Sequence, residues 1–272
     1  MKKYNFLTNE EKKISKSFLK NGYYIFDIDE LKSLNKIMDF LSNKSLSKLK
    51  IKKNKFKFDD LHKYLNHKKI NDFRLELFRD INKQPWLMKE YYQIFKKHLD
   101  IIVGNELAMQ NQVNLSLQMP KDSSSVLPMH ADSFNGESPF EIVAWLPLVN
   151  CSSTKSMFIL PNKVNDQIIS KLSSYSRPKK GGMYSINMKV KKKIKFLKIN
   201  LKQGLIFSPN LFHGNKKNIT KETRWSLNTR FKSLLSPYTS DEKSLGTFYV
   251  PITTREATIK GINFKKPNKF IS

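Results

Sequence analysis

The chain has little of several residues on which common functional sites depend. It contains one cysteine, Cys151, which excludes an intramolecular disulfide and a cysteine-based metal cluster and favours a reducing compartment. Glycine is scarce, at nine residues in 272, and no glycine-rich phosphate loop or G-x-S-x-G nucleophile motif occurs. No apolar run reaches the length of about eighteen residues that a membrane span needs, and no apolar segment follows the basic N-terminus. We therefore expect a cytoplasmic protein without a membrane span or signal peptide.

Acidic residues are also few, since 23 Asp and Glu face 50 Lys and Arg and give a formal charge of +27. Such a balance is typical of proteins that bind nucleic acid or membranes, and it would also attract an anionic small molecule. Scattered lysines, however, are more typical of solvated loops and protected strand edges, so we consider a nucleic-acid partner unlikely. Two segments are densest in lysine: Lys44, Lys48, Lys50, Lys52, Lys53, Lys55 and Lys57, and then Lys189, Lys191, Lys192, Lys193, Lys195 and Lys198.

The clearest metal-binding pattern is His130-Ala131-Asp132, together with His213 far downstream. Side chains two residues apart on a strand point the same way, so His130 and Asp132 can share one ion. Two imidazoles and one carboxylate form the facial triad that leaves coordination positions open on non-haem iron(II). An H-x-D pair alone is a weak signal, and the sequence around His213 strengthens it.

Residues 224–231 read as a strand with one polar face, formed by Arg224, Ser226, Asn228 and Arg230. Burying two arginines is costly unless anions or other acceptors pair with them. An arginine with a hydroxyl beside it suits a carboxylate.

These features resemble the iron(II)- and 2-oxoglutarate-dependent oxygenases. Arg224 stands eleven residues after His213, and Ser226 follows two residues later, which is similar to the Arg-x-Ser pair that holds the distal carboxylate of 2-oxoglutarate in that family. The spacing looks most like the phytanoyl-hydroxylase-like branch. The resemblance covers about residues 110–232, and the segments around His130 and His213 are most similar to oxygenases of bacterial surface-carbohydrate gene clusters.

The resemblance implies a function and its cofactors. His130, Asp132 and His213 would bind iron(II), Arg224 and Ser226 would bind 2-oxoglutarate, and dioxygen would be the oxidant. The substrate would be a small polar molecule, a sugar or nucleotide-linked sugar of surface polysaccharide biosynthesis, and hydroxylation is the expected outcome.

Further candidate site residues come from two patterns. Residues 109–118 alternate, and the amides Gln112 and Asn114 on the polar side favour contact with the co-substrate. A solvent-facing polar edge would give the same alternation. Asn135, in the turn-rich loop after the metal pair, is a candidate substrate residue, and so are Trp145, Asn228 and Arg230.

The element pattern predicts an α+β fold with a mostly β core, a double-stranded β-helix or jelly roll buttressed by N-terminal helices. We expect one domain over residues 1–272, with a helical part at 1–108, the jelly-roll core at 109–235 and a C-terminal extension at 236–272. The predicted elements are a Thr8-capped helix to Lys20, a strand at 22–28, an Asp29-capped helix to Leu41 and helices at 58–82 and 85–103. They continue with strands at 109–118, 141–149, 156–160, 183–187, 195–200 and 204–207 and a helix at 165–173.

Two other functions stay open. Arg224 and Arg230 are also spaced as in the alkylated-base demethylases of the same superfamily, for which positive charge would suit nucleic acid. A non-catalytic metal-binding cupin would need the metal ligands alone. The sequence leaves the oligomeric state and the oxidised carbon open.

Overall fold

The computed structural model describes residues 6–52, 56–170 and 194–265 as a mixture of helices and antiparallel strands. The helices are α1 Asn9–Asn21, α2 Leu31–Leu49, α3 Ile70–Asn82, α4 Leu87–Ile102, α5 Asn162–Ile169 and α6 Glu256–Ile262. The strands are β1 Tyr23–Asp27, β2 Leu107–Gln110, β3 Asn114–Gln118, β4 Glu141–Pro147, β5 Phe158–Ile159, β6 Lys195–Phe196, β7 Gln203–Phe207, β8 His213–Gly214, β9 Arg224–Ser233 and β10 Tyr249–Thr253.

The strands form two sheets. The larger has the order β1-β7-β4-β9-β2-β10, and β3 pairs with β9 as well. The smaller has the order β6-β5-β8. The N-terminal half of β9 pairs with β3 and its C-terminal half with β2, while β4 runs along its other edge. Because β9 lies between these partners, the face that carries Arg224 and Arg230 is enclosed and can line a site.

One hydrophobic core joins the N-terminal helices to the larger sheet. It contains residues of α2, α3 and α4 together with residues of β1, β4, β7 and β9. Tyr91 of α4 is completely buried and donates its hydroxyl to the carbonyls of Ala144 and Leu227, which ties the helix layer to two neighbouring strands. The predicted α+β class with buttressing helices agrees with this arrangement, while the double-stranded β-helix stays a prediction.

The N-terminal elements follow local sequence signals closely. The capping box of α1 is present, since the Thr8 side chain accepts from the backbone of Glu11 and the Glu11 side chain accepts from the backbone of Thr8. The second predicted helix was wrong at both ends, because Glu30 and not Asp29 is the N-cap and the helix continues to Leu49. The first part of the helix predicted at 58–82 was also wrong: Phe58–Lys63 and His67–Lys69 are short 3-10 turns.

The strand predicted at residues 109–118 is interrupted. β2 ends at Gln110 and β3 begins at Asn114, because the backbone between them bonds elsewhere. The amide of Asn111 donates to the carbonyl of Phe248, and the amide of Val113 donates to the side chain of Asn82.

The C-terminal extension contributes an edge strand that its sequence did not predict, since β10 pairs with β2. Helix α5 begins at Asn162, three residues before the predicted start, and the predicted strands at 156–160 and 195–200 are only two residues long. The strand predicted at 183–187 and the lysines at 189–193 lie outside the described residues. Within the described ranges no helix is both long and apolar enough to cross a membrane.

Candidate metal centre

The three predicted metal ligands lie together. His130 and His213 form a β-bridge whose two backbone hydrogen bonds measure 2.9 and 2.8 Å, so the main chain itself places the two imidazoles side by side. Asp132 begins a short 3-10 turn directly after that bridge. Its Oδ1 lies 3.3 Å from Nε2 of His130 and 3.9 Å from Nε2 of His213. Ligands that bind one ion at about 2.1 Å lie about 3 Å apart when they are neighbours on an octahedron, so this spacing suits a shared metal.

Hydrogen bonds at the far side of each imidazole select the ligating nitrogen. Nδ1 of His130 lies 2.7 Å from the carbonyl oxygen of Pro128, and Nδ1 of His213 lies 2.9 Å from that of Leu211. A carbonyl only accepts, so both Nδ1 atoms carry the proton and both Nε2 lone pairs are free for a metal. Burial lowers the pKa of His213 to about 4, which keeps this imidazole neutral near pH 7.

Arg230 binds Asp132 at the carboxylate oxygen that faces away from the histidines. Its Nη2 donates to Oδ2 of Asp132 at 2.9 Å, which leaves Oδ1 directed at the histidines. Its Nε lies 3.1 Å from Oε1 of Glu141 and 3.8 Å from Oε2 of Glu137. Burial opposes ionisation of Asp132, but the two histidines and Arg230 outweigh it and hold the pKa of Asp132 below its usual range. Asp132 is therefore an ionised ligand.

The acidic partners of Arg230 extend the network away from the histidines. Glu141 is almost completely buried, and burial raises its pKa to about 7 although Arg230 opposes the shift. Its other oxygen accepts from the hydroxyl of Tyr249 on β10, and Glu137 pairs with Lys243. The C-terminal extension thus reaches the residues behind the metal ligands.

Arg224 has a different environment at the other end of the same strand face. It is 4% exposed, and among the described residues its guanidinium has one hydrogen-bond partner, the Ser116 hydroxyl, which Nη2 reaches at 3.1 Å. Its Nε has no hydrogen-bond partner, and neither does the buried hydroxyl of Ser226. Arg224 forms no ion pair among the described residues, and burial lowers its pKa. A buried guanidinium with one neutral partner is costly unless an anion binds it, and so is a buried hydroxyl that has no partner.

A cavity of about 140 Å³ joins these two ends. Its walls come from both sheets and include the three ligands, Arg224, Arg230, Asn228 and Trp145, with Val143, Met157 and Phe207 as apolar lining. A ligand bound by the metal at one end can therefore reach the unpaired arginine at the other.

The remaining predicted site residues divide into two groups. Asn114 pairs with Asn228 across β3 and β9, where its Nδ2 donates to Oδ1 of Asn228 at 3.2 Å, and it lines a second cavity beside the first. Gln112 does not join the site, because it is exposed in the link between β2 and β3. Asn135 donates to the carbonyl of Ala131 and stabilises the turn after the metal pair without lining the metal cavity.

Sequence reasoning missed Glu137, Glu141 and Tyr249, which complete the network around Arg230. Only one signal pointed to them: an arginine on a buried face requires acidic partners, and acidic residues are scarce in this chain. Ser116 lies on the polar side of the alternation at residues 109–118 but was not assigned to the site, although it is the hydrogen-bond partner of Arg224.

The residues present fit both a divalent metal and a dicarboxylate. Two neutral imidazoles and one ionised carboxylate are the donors of a facial triad on iron(II). The unpaired Nε of Arg224 supplies a donor for a second carboxylate at the cavity wall. The hydroxyl of Ser226, on the same strand face, is completely buried and does not line the cavity.

No protein-family model matches the chain, and no curated protein matches it. Several solved structures are similar to the chain. A nickel complex of the non-haem monooxygenase ThoJ is 11% identical, with a TM-score of 0.54, and the alignment covers 90% of this chain and 85% of that one. EctD from S. alaskensis, solved with 2-oxoglutarate and 5-hydroxyectoine, is 14% identical over 94% of this chain and 89% of that one, with a TM-score of 0.52.

A third similar structure is SnoK, a non-haem α-ketoglutarate-dependent carbocyclase from nogalamycin biosynthesis. It is 11% identical over 91% of this chain and 97% of that one, with a TM-score of 0.52. At these identities the likeness establishes the fold. The chain therefore shares the fold of the non-haem monooxygenase ThoJ, of EctD and of the α-ketoglutarate-dependent carbocyclase SnoK.

Proposed function

We propose that this protein is an iron(II)- and 2-oxoglutarate-dependent dioxygenase that oxidises a small polar substrate. One observation carries the proposal: the buried Arg224, which has an unpaired Nε and no ion-pair partner among the described residues, lines the same cavity as a His-Asp-His group. A metal-binding scaffold without a co-substrate would gain nothing from an unpaired buried guanidinium. A co-substrate with two carboxylates explains both ends of the cavity.

Each residue has a defined task in this proposal. His130 and His213 offer Nε2 and Asp132 offers Oδ1 to the iron, and Arg230 holds Asp132 to a single ligating oxygen. Arg224 and Ser226 bind the distal carboxylate of 2-oxoglutarate. When bound, the iron supplies the oxidation, in which substrate C–H, dioxygen and 2-oxoglutarate become alcohol, succinate and carbon dioxide.

The lining of the cavity supports this chemistry. Val143, Met157 and Phe207 present apolar surface to the space between the metal ligands and Arg224. Such walls exclude water and strengthen the charged contacts inside them. Trp145, 6% exposed, adds a rigid aromatic wall against which a substrate can be oriented.

The finer assignments follow the sequence resemblance. We propose a phytanoyl-hydroxylase-like enzyme of the cytoplasm that hydroxylates a sugar or a nucleotide-linked sugar for a surface polysaccharide. The amide pair Asn114–Asn228 beside the metal cavity supports a hydroxyl-bearing substrate, because amides both donate to and accept from hydroxyl groups. No contact among the described residues specifically favours the demethylase or the non-catalytic cupin.

The test is an anaerobic titration of the iron(II)-loaded protein with 2-oxoglutarate, followed by the charge-transfer absorption of the chelate. Arg224→Lys loses the bidentate fork, and we expect 2-oxoglutarate binding to weaken by about 2 to 3 kcal/mol. Arg79→Lys, an exposed position on α3, is the matched control and should leave binding unchanged. Equal affinity of the Arg224→Lys and wild-type proteins would refute the assignment.

A further inference from the structure

A second cavity of about 320 Å³ opens beside the metal cavity, between α3, β3 and the loop that leads to the metal ligands. The two cavities share three lining residues, Ser116, Leu127 and Asn228. We propose that this second cavity is the substrate entrance and that Arg74 binds an anionic group, a carboxylate or phosphate, of the small polar substrate. The inference rests on the proposed function, because it takes the metal cavity as the place of reaction.

Volume decides that the substrate must extend beyond the metal cavity. Small-molecule sites usually measure about 300 to 1,000 Å³, whereas the metal cavity measures about 140 Å³ and must also hold the co-substrate. The adjoining space of about 320 Å³ reaches that range by itself. A larger cavity of about 810 Å³ lies near α1 and α5, but it shares no lining residue with the metal cavity, so we do not assign it to the substrate.

Arg74 supplies a positive charge that the fold does not neutralise. It is half-buried on α3, and its two hydrogen bonds go to neutral acceptors, the side-chain oxygen of Asn71 at 2.8 Å and the carbonyl of Leu115 at 3.4 Å. Within the described ranges it forms no ion pair, unlike Lys48, which pairs with Glu76 and Asp80. A guanidinium has five N–H donors, so several stay available to an anion in the cavity.

Among the described residues that line this cavity there is one carboxylate, and it already accepts hydrogen bonds. Oδ1 of Asp122 accepts from the amide and hydroxyl of Ser124, and Oδ2 accepts from the hydroxyl of Ser125. Asp122 is 3% exposed, and although burial opposes it, these bonds lower its pKa. It therefore holds the loop in place, and Arg74 is the charged group left to contact a ligand.

Where the second cavity meets the metal cavity, the shared wall is uncharged and two of its three residues, Ser116 and Asn228, are polar. Asn228 lines both cavities, and Asn114, its hydrogen-bond partner on β3, lines the second cavity. A substrate with an anionic group at Arg74 would place its hydroxyl groups against these amides and its reacting carbon beyond them. This arrangement selects an anionic, hydroxyl-bearing molecule such as a sugar phosphate or a sugar acid.

Saturation-transfer NMR tests the inference with three named probes, glucose, glucose 6-phosphate and glucuronate. Each is titrated into protein loaded with zinc(II) and 2-oxoglutarate, and separately into protein without metal or co-substrate. We expect the two anionic probes to bind about tenfold more tightly than glucose in both forms. Arg74→Gln should abolish this preference and Arg74→Lys should retain part of it, whereas Arg79→Gln, exposed on the same helix, should retain all of it.

A second variant covers the case in which Arg74→Gln fails to fold. Asn71→Asp places a carboxylate next to the guanidinium it already contacts, near the N-terminus of α3, where negative charge favours the helix. It should also remove the anion preference. Equal binding of all three probes to the wild-type protein, or a preference that survives both variants, would overturn the inference.

Position is tested by replacing zinc(II) with paramagnetic manganese(II). A probe bound in the second cavity lies close to the metal, so its proton signals should broaden. Sharp signals from a bound probe would show that it binds away from the metal. That result would refute the assignment of the second cavity as the substrate entrance. Failure of 2-oxoglutarate to bind the metal-loaded protein would instead contradict the proposed function, while the anion preference is still read in the metal-free form.

Discussion

Replacing each of the two buried arginines of β9 by methionine should change the stability of the metal-free protein in opposite directions. Arg230 faces three carboxylates, those of Asp132, Glu137 and Glu141, all with side chains less than 10% exposed. Removing one partner of a buried ion pair leaves uncompensated charge and costs about 3 to 5 kcal/mol. We therefore expect Arg230→Met to lower the free energy of unfolding of the metal-free protein by about that amount.

Arg224 should behave differently because nothing in the described part of the chain balances its charge. Its single hydrogen bond goes to Ser116, and its Nε has no partner. Methionine fills a similar volume without burying a charge, so the desolvation cost disappears. Arg224→Met should raise the free energy of unfolding of the metal-free protein by about 1 kcal/mol or more, while it removes 2-oxoglutarate binding.

Urea unfolding, followed by circular dichroism without metal or 2-oxoglutarate, measures both changes. Arg79→Met is the control, because substitutions at exposed positions usually change stability by less than about 0.5 kcal/mol. If Arg224→Met destabilises the protein as much as Arg230→Met, then Arg224 has a counter-charge in the folded chain. In that case Arg224 is not a free binding site for a carboxylate, and the argument for 2-oxoglutarate fails.

Three further predictions concern the metal, the net charge and pH. His213→Ala should abolish iron retention and 2-oxoglutarate turnover together without unfolding, because the β-bridge to His130 uses only backbone atoms; metal analysis with circular dichroism checks this, and full iron retention would contradict it. Binding to generic DNA should vanish near physiological salt in a filter-binding assay, whereas tight, salt-resistant binding would favour the demethylase. Burial lowers the pKa of His98 from 6.5 to about 4, so between these values the unfolded chain binds a proton that the folded chain does not. The stability of wild type relative to His98→Phe should therefore fall on acidification by up to about 1.4 kcal/mol per pH unit, and a constant difference in urea titrations would refute the shift.

Local patterns in the sequence predict several elements of the fold, one of which carries site residues. The capping box at Thr8 fixes the start of α1, and the alternation after Arg224 defines β9 and its polar face. His130 and Asp132 could be paired from their two-residue spacing, and the structure brings them to His213. These predictions depend on period and spacing within a few residues, apart from the partnership with His213, which the resemblance supported.

Elements decided by distant partners could not be predicted in the same way. Gln112 belongs to a regular alternation, yet the amides on either side of it bond to Phe248 and Asn82, and the strand breaks there. β10 is a five-residue edge strand with a proline, and it forms only because β2 offers a free edge. Neither partner can be read from the local sequence.

The assignment of the two arginines required both kinds of information. The alternation of β9 puts Arg224 and Arg230 on one face, but it does not say which is paired. Arg230 is the paired arginine because Glu141 on the neighbouring β4 and Glu137 in the loop after His130 supply carboxylates. Both carboxylates lie beside the C-terminal half of β9. The unpaired positive charge of β9 is therefore that of Arg224, in its N-terminal half. A ligand that binds there only in the folded state adds stability. At about one hundred times its dissociation constant, 2-oxoglutarate should stabilise the metal-loaded wild-type protein by about 2.7 kcal/mol, and this gain should be absent from Arg224→Met.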